Sequence, residues 1–333
     1  MELDPDIRQS AFRLAHSLDP ASGTSRVLIA ADTGQPAAPF LNWSPAELAA
    51  AIVSLDLAHI GAGALNAALQ RSVEAARYWQ EPDGEDILAG LPEVREAFAP
   101  IADKILALPS MQWLREPRHI EQWAIDWRSA DDPAPLPRAP RQALSKWAQD
   151  ERAEELRASR DRPQDPHANW SGTWWSVPRG TISTVGQIPA GLSLIEDSLG
   201  WEQATVIAVR GIGATYEIRT ADDWVALCRK YPLEGTASRR HDWYRTTGRN
   251  GRWVLPDWER VADEWDAVHL TGLGYLSSAG RALPVDSDTS SVIAGWDPDR
   301  TFWLTDVARE WETPRQAWHR PSPQEESWTQ LPT

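Results

Sequence analysis

Through roughly the first 160 residues, apolar side chains recur three and four positions apart, the spacing of amphipathic helices; beyond about residue 170 they gather in short β-rich runs. The pattern predicts a helix over 6–18 and a short strand over 25–31. Ser44-Pro45-Ala46-Glu47 is a capping box with proline at the first helical position, opening a helix that should run to about His59. A second helix over 64–79 places Leu65, Leu69, Val73 and Ala76 on one face, and further helices are expected near 91–108, 120–127 and 142–158. In the second half the β-rich runs are 174–177, 181–185, 204–210, 214–219, 267–271, 290–294 and 301–305. Two helices interrupt them, over 220–231 and 256–266, with Trp224, Trp258 and Trp265 on their apolar faces.

These elements predict an α+β protein: a helix-rich N-terminal domain (1–130), a proline-rich linker and helix (131–168), a tryptophan-rich mixed domain (169–313) and a poorly ordered tail (314–333). Fourteen of the 20 tryptophans lie from Trp170 onward, which sets the second half apart. No run approaches the roughly 18–20 apolar residues of a membrane helix, and the acidic N-terminus is unlike a signal peptide, so a cytoplasmic, non-membrane protein is expected. A net charge of −15 argues against binding extended nucleic acid and favours a basic protein partner or a ligand held by a local basic patch. The single cysteine, Cys228, excludes an internal disulfide; the seven scattered histidines show no metal-ligand spacing, so no metal is expected.

Three constellations carry candidate chemistry. The run 239–252 holds five arginines, a histidine and one acid, interleaved with aromatics. Arg239, Arg240, Arg249 and Arg252 suit a phosphate, and Trp243 and Trp253 suit a stacked base; the bland alternative is a solvated β-connection whose arginines pair with the protein's own acids. His269, alone on a short apolar strand before Gly272-Leu273-Gly274, suits acid–base work, or is a core histidine bonded to a backbone carbonyl. Acid–tryptophan neighbours, including Trp296-Asp297 and nearby Asp299, suit a sugar or a carboxylate pair, against a role as turn acids and core rings.

Leu194-Ile195-Glu196-Asp197-Ser198-Leu199-Gly200-Trp201, Tyr216-Glu217-Ile218, Pro256-Asp257-Trp258, Val268-His269-Leu270-Thr271 and Gly295-Trp296-Asp297-Pro298-Asp299 resemble a family of actinobacterial proteins of uncharacterised activity. More loosely, the order of pieces is similar to ADP-ribosyltransferase domains, with Ile182-Ser183-Thr184 as the second element. This chain departs from that pattern: Arg179 follows the early strand instead of lying on it, and Asp297 and Asp299 stand in place of a Glu-x-Glu. The resemblance implies NAD as the cofactor or co-substrate. Together these readings lead to an expectation that the C-terminal domain binds a phosphate-bearing small molecule, a nucleotide such as NAD, with ADP-ribosyl-type group transfer by His269, Asp297 and Asp299. The alternatives are a non-enzymatic acidic interaction or inhibitor protein, and a carbohydrate-active enzyme.

Overall fold

The computed structural model describes residues 5–22, 43–56, 60–129, 131–132, 134–321 and 327–332; the strand expected over 25–31 lies outside them. The chain opens with five helices, α1 (Pro5–Leu18), α2 (Pro45–Val53), α3 (Ala62–Glu74), α4 (Gly84–Gly90) and α5 (Pro92–Leu106), then a 3₁₀ turn (Pro109–Arg115). Next come β1 (Glu121–Asp126), α6 (Pro140–Asp161), β2 (Ser183–Val185), α7 (Ala190–Ser193), β3 (Gln203–Gly211), β4 (Thr215–Ile218) and α8 (Ala221–Lys230). The rest comprises β5 (Pro232–Glu234), α9 (Thr236–Thr247), β6 (Arg252–Pro256), α10 (Trp258–Val261), β7 (Ala267–Leu270), α11 (Gly272–Ser278), β8 (Leu283–Pro284), β9 (Thr289–Ser291), β10 (Arg300–Trp303), β11 (Ala308–Glu310), β12 (Gln316–His319) and β13 (Thr329–Gln330). This is an α+β fold.

Two compact units divide the chain, Met1–Gly61 with Glu81–Gln112, and Ala62–Gln80 with Trp113–Thr333. In the first, α1, α2, α4 and α5 bury Ile7, Ala11, Leu48, Ile52, Leu88 and Val94. The capping box is formed as the sequence indicates: Ser44 Oγ accepts from Glu47 N, and the Glu47 carboxylate accepts from Ser44 N.

The second unit is built on a nine-stranded sheet, ordered β13-β12-β3-β1-β2-β10-β7-β4 with β11 also on β3; β4 and β7 run parallel and the other pairs antiparallel. A smaller sheet, β5-β6-β9-β8, lies beside it in the order of pairing. Its main core is aromatic: Trp224, Trp258 and Trp296 are fully buried with ring centres 5.6–6.0 Å apart, each tilted or edge-on to the next. Trp265, expected on the same kind of face, is only partly buried. Helix α6 belongs to this core through Leu144, Trp147 and Ala148, so the stretch 131–168 contributes a structural helix to the second unit.

Four local expectations change. Residues 174–177 form no strand. Residues 120–127 are not helical; they form β1, whose six residues pair with β3 from Glu121↔Arg210 to Asp126↔Thr205. A complete ladder satisfies their backbone groups, and tertiary pairing overrides local helix-like spacing. The helix over 256–266 shrinks to α10. The tail beyond 314 contains β12, which extends the sheet on β3, and β13.

Candidate functional site

Strand register assembles the polar site. Glu217 on β4 stands opposite His269 on β7, His269 opposite Thr301 on β10, and Thr301 opposite Thr184 on β2. In-register residues share a face of the sheet, so four polar side chains from four strands form one row. Asp299, just before β10, joins its end. Its backbone takes φ +58, uncommon outside glycine, and Gly186 N donates to its Oδ2 at 3.0 Å.

His269 is fully buried. Its Nε2 lies 3.7 Å from Asp299 Oδ1 and 4.0 Å from Glu217 Oε2, and has no hydrogen-bond partner. Burial, reinforced by the Arg118 cation, pushes its pKa down to about 3, so the imidazole is neutral. Burial pushes the Asp299 carboxyl up to about 7, against the Gly186 N–H and His119, while Glu116 and Glu217 add to the rise. Glu217 is also raised by burial, offset by the Arg118 backbone N–H, which donates to its Oε1 at 3.1 Å. Asp299 thus retains a proton into the neutral range, beside a second carboxyl whose charged form has cationic and N–H support.

An open cleft of about 970 Å³ is lined by Glu116, Arg118, His119, Gly186, Gln187 and Arg210 among others, of which Arg118 and Gly186 bond Glu217 and Asp299 through their backbone N–H groups. Glu121 and Trp123 also line a second recess of about 350 Å³ with Trp311, Gln316 and Gln330. Among the described residues no three His, Cys, Asp or Glu side chains are grouped to hold a metal ion, and no helix is long and apolar enough to cross a membrane.

Asp297 takes no part in this cluster. It is held at 2.6 Å by Arg300 and accepts Glu196 N at 2.9 Å, beside the buried Glu196 carboxyl that Tyr78 bonds. The arginine run is not a ligand loop either. Residues 236–247 form α9, closed by Gly248 at φ +69, and its positive end is occupied by Glu155, which accepts Ala237 N and Ser238 N. Arg239 is buried, with Nη2 2.8 Å from Glu151, and it donates twice to Trp175 O. Trp243 and Trp253 are fully buried and meet edge to face at 5.3 Å. Arg240 donates to Pro163 O, Arg249 to Arg252 O and Asp288 O, and Arg252 pairs with Glu234. Arg239 and Arg252 thus pair with protein acids, Arg240 and Arg249 bond backbone carbonyls, and Trp243 and Trp253 lie in the core instead of presenting a ring face.

Of the sequence candidates, the structure therefore unites His269 and Asp299 alone. Glu116, Arg118, His119 and Gln122 carry no sequence signal, and Glu217 and Thr184 enter the sequence reading only within the Tyr216-Glu217-Ile218 and Ile182-Ser183-Thr184 motifs; an acid on a short, otherwise uncharged strand (Thr215–Ile218) is the available signal for Glu217. Comparison with protein-family models, curated proteins and solved structures returns no match to this chain.

Proposed function

We propose that the second unit is a glycosyl-transferring or glycoside-cleaving enzyme. Its site would act on the bond between a sugar carbon and an oxygen or nitrogen leaving group. One observation carries the reading: Asp299, just before β10, and Glu217 on β4 flank the same imidazole nitrogen, and the residues whose backbone N–H groups bond them, Gly186 and Arg118, line an open cleft. Paired carboxyls, one of which holds a proton near neutrality, are the apparatus of such chemistry. Asp299 gives its proton to the leaving atom as the bond to the sugar carbon breaks. Glu217 takes a proton from the water or acceptor hydroxyl whose oxygen bonds that carbon. His269 positions both carboxyls. Trp123 and Gln187 line the cleft where a sugar or nucleoside would lie. This reading keeps a nucleotide such as NAD as one substrate source and an oligosaccharide as the other.

Hydrolysis is to be followed separately on a panel of unactivated oligosaccharides and on one of nucleosides and dinucleotides including NAD. Turnover in one arm identifies the source. Asp299→Asn should then lower kcat by about 10²–10⁴-fold, the usual contribution of a positioned acid, with melting temperature preserved. Absence of binding and turnover in both arms refutes the reading and leaves the acidic interaction protein.

A further inference from the structure

We infer that a directed hydrogen-bond chain, Trp303 to Thr184 to Gln122 to Thr301, fixes His269 as the tautomer that carries its hydrogen on Nε2, facing Asp299 and Glu217. The inference rests on the acid–base reading of that site and assigns Gln122, Thr184, Thr301 and Trp303 as positioning residues for it.

The direction starts from an indole, which can only donate. Trp303 Nε1 donates to Thr184 Oγ1 at 2.9 Å. The Thr184 hydroxyl donates to Gln122 Oε1, and Gln122 Nε2 donates to Thr301 Oγ1 at 3.0 Å. Having accepted that bond, the Thr301 hydroxyl has its hydrogen free for His269 Nδ1, 3.0 Å away. Nδ1 accepts, and the hydrogen of the neutral ring is left to Nε2. The other side of the ring asks for the same arrangement. Nε2 faces Asp299 Oδ1 and Glu217 Oε2, and the Glu116 backbone carbonyl also favours an N–H on this ring. An N–H there is attracted to both carboxyl oxygens.

The register makes the chain rigid. Thr184, Thr301 and His269 are successive cross-strand neighbours, and the four residues of the chain are all buried. Gly211 lets the Trp303 ring lie against β3: a Cβ there would stand 2.0 Å from Trp303 Cη2. The charged groups facing the imidazole from neighbouring elements are Asp299, Glu217, Arg118, Arg219 and His119. Burial opposes protonation through the neutral range, so His269 presents an N–H toward the carboxyls and does not act as a base.

The test is nitrogen NMR on the full chain with ¹⁵N-labelled histidine, without substrate. His269 is identified as the resonance set lost in His269→Gln, or as the ring that remains neutral at pH 5. The expected spectrum shows hydrogen on Nε2 and a hydrogen-bonded, bare Nδ1 from pH 8 to 5. Thr301→Val, nearly isosteric, should move Nδ1 downfield as its bond is lost, and Thr301→Ser should restore the wild-type position. Hydrogen on Nδ1, a charged ring at pH 6, or an Nδ1 position unmoved in Thr301→Val overturns the inference. Because no turnover is measured, a failed substrate screen sinks only the glycosyl reading, and a wrong tautomer sinks only this one.

Discussion

Arg239 offers the sharpest separation between a ligand-binding and a fold-holding role. Its side chain is 1% exposed and its partner Glu151 12%, so Arg239→Ala strands a carboxylate away from water and removes both donors to Trp175 O. Breaking a buried pair from one side costs about 3–5 kcal/mol. Arg252 is a control on the same stretch: its side chain is 57% exposed and its partner Glu234 42%. Solvent-screened pairs of that kind contribute about 0–1 kcal/mol. Urea unfolding followed by tryptophan fluorescence reads the second unit, which holds every tryptophan except Trp43. With a slope of about 2–3 kcal/mol per molar, Arg239→Ala should lower the midpoint by roughly 1–2 M and Arg252→Ala by less than about 0.5 M. Arg239→Lys should recover only part of the loss, since an ammonium cannot serve Glu151 and the Trp175 carbonyl with one planar fork. Equal, small shifts for Arg239→Ala and Arg252→Ala would refute the reasoning and return Arg239 to the ligand-binding candidates.

Two further outcomes follow from the interior. Burial, with Asp297 adding to it, raises the Glu196 carboxyl to about 8. The folded chain therefore keeps a proton that the unfolded chain releases above the ordinary carboxylate range, and stability falls as pH rises toward 8, by up to about 1.4 kcal/mol per pH unit. Glu196→Gln removes that slope, so its stability relative to wild type should improve by up to about 4 kcal/mol between pH 5 and 8 in urea titrations; a pH-independent difference would contradict the burial argument. Trp224→Ala should cost about 3–5 kcal/mol, because the ring is fully buried and its Nε1 donates to Ser291 Oγ; near-wild-type stability would remove it from the core.

Much of the fold is written locally. Ser44 with Glu47, and Thr220 with Asp223, mark helix starts that form as capping boxes, and the runs at 204–210 and 267–271 become β3 and β7. His269 and Asp299 stood out as a lone histidine on an apolar strand and an acid before one. Their meeting was not legible, because it depends on β4, β7, β10 and β2 becoming neighbours although they are far apart in sequence. The partners of the arginine run were hidden for a related reason: its local window contains one acid, whereas Glu151, the partner of Arg239, lies on α6, 88 residues earlier. Charge balance is settled in space, not along the chain.

The alternation of the two units along the chain bears on how such a gene can be rearranged. Residues 62–80 belong to the second unit although the first unit's segments flank them on both sides. They bring Val73 to its core and Tyr78 to Glu196, a partner 118 positions downstream. Deleting or exchanging the first 112 codons as one block would therefore take α3 with it and remove the Tyr78 hydroxyl from Glu196. A viable recombinant needs two exchanges that spare 62–80. Neither unit is a cassette, and a shuffled descendant should carry both or retain α3 as the trace of what was lost.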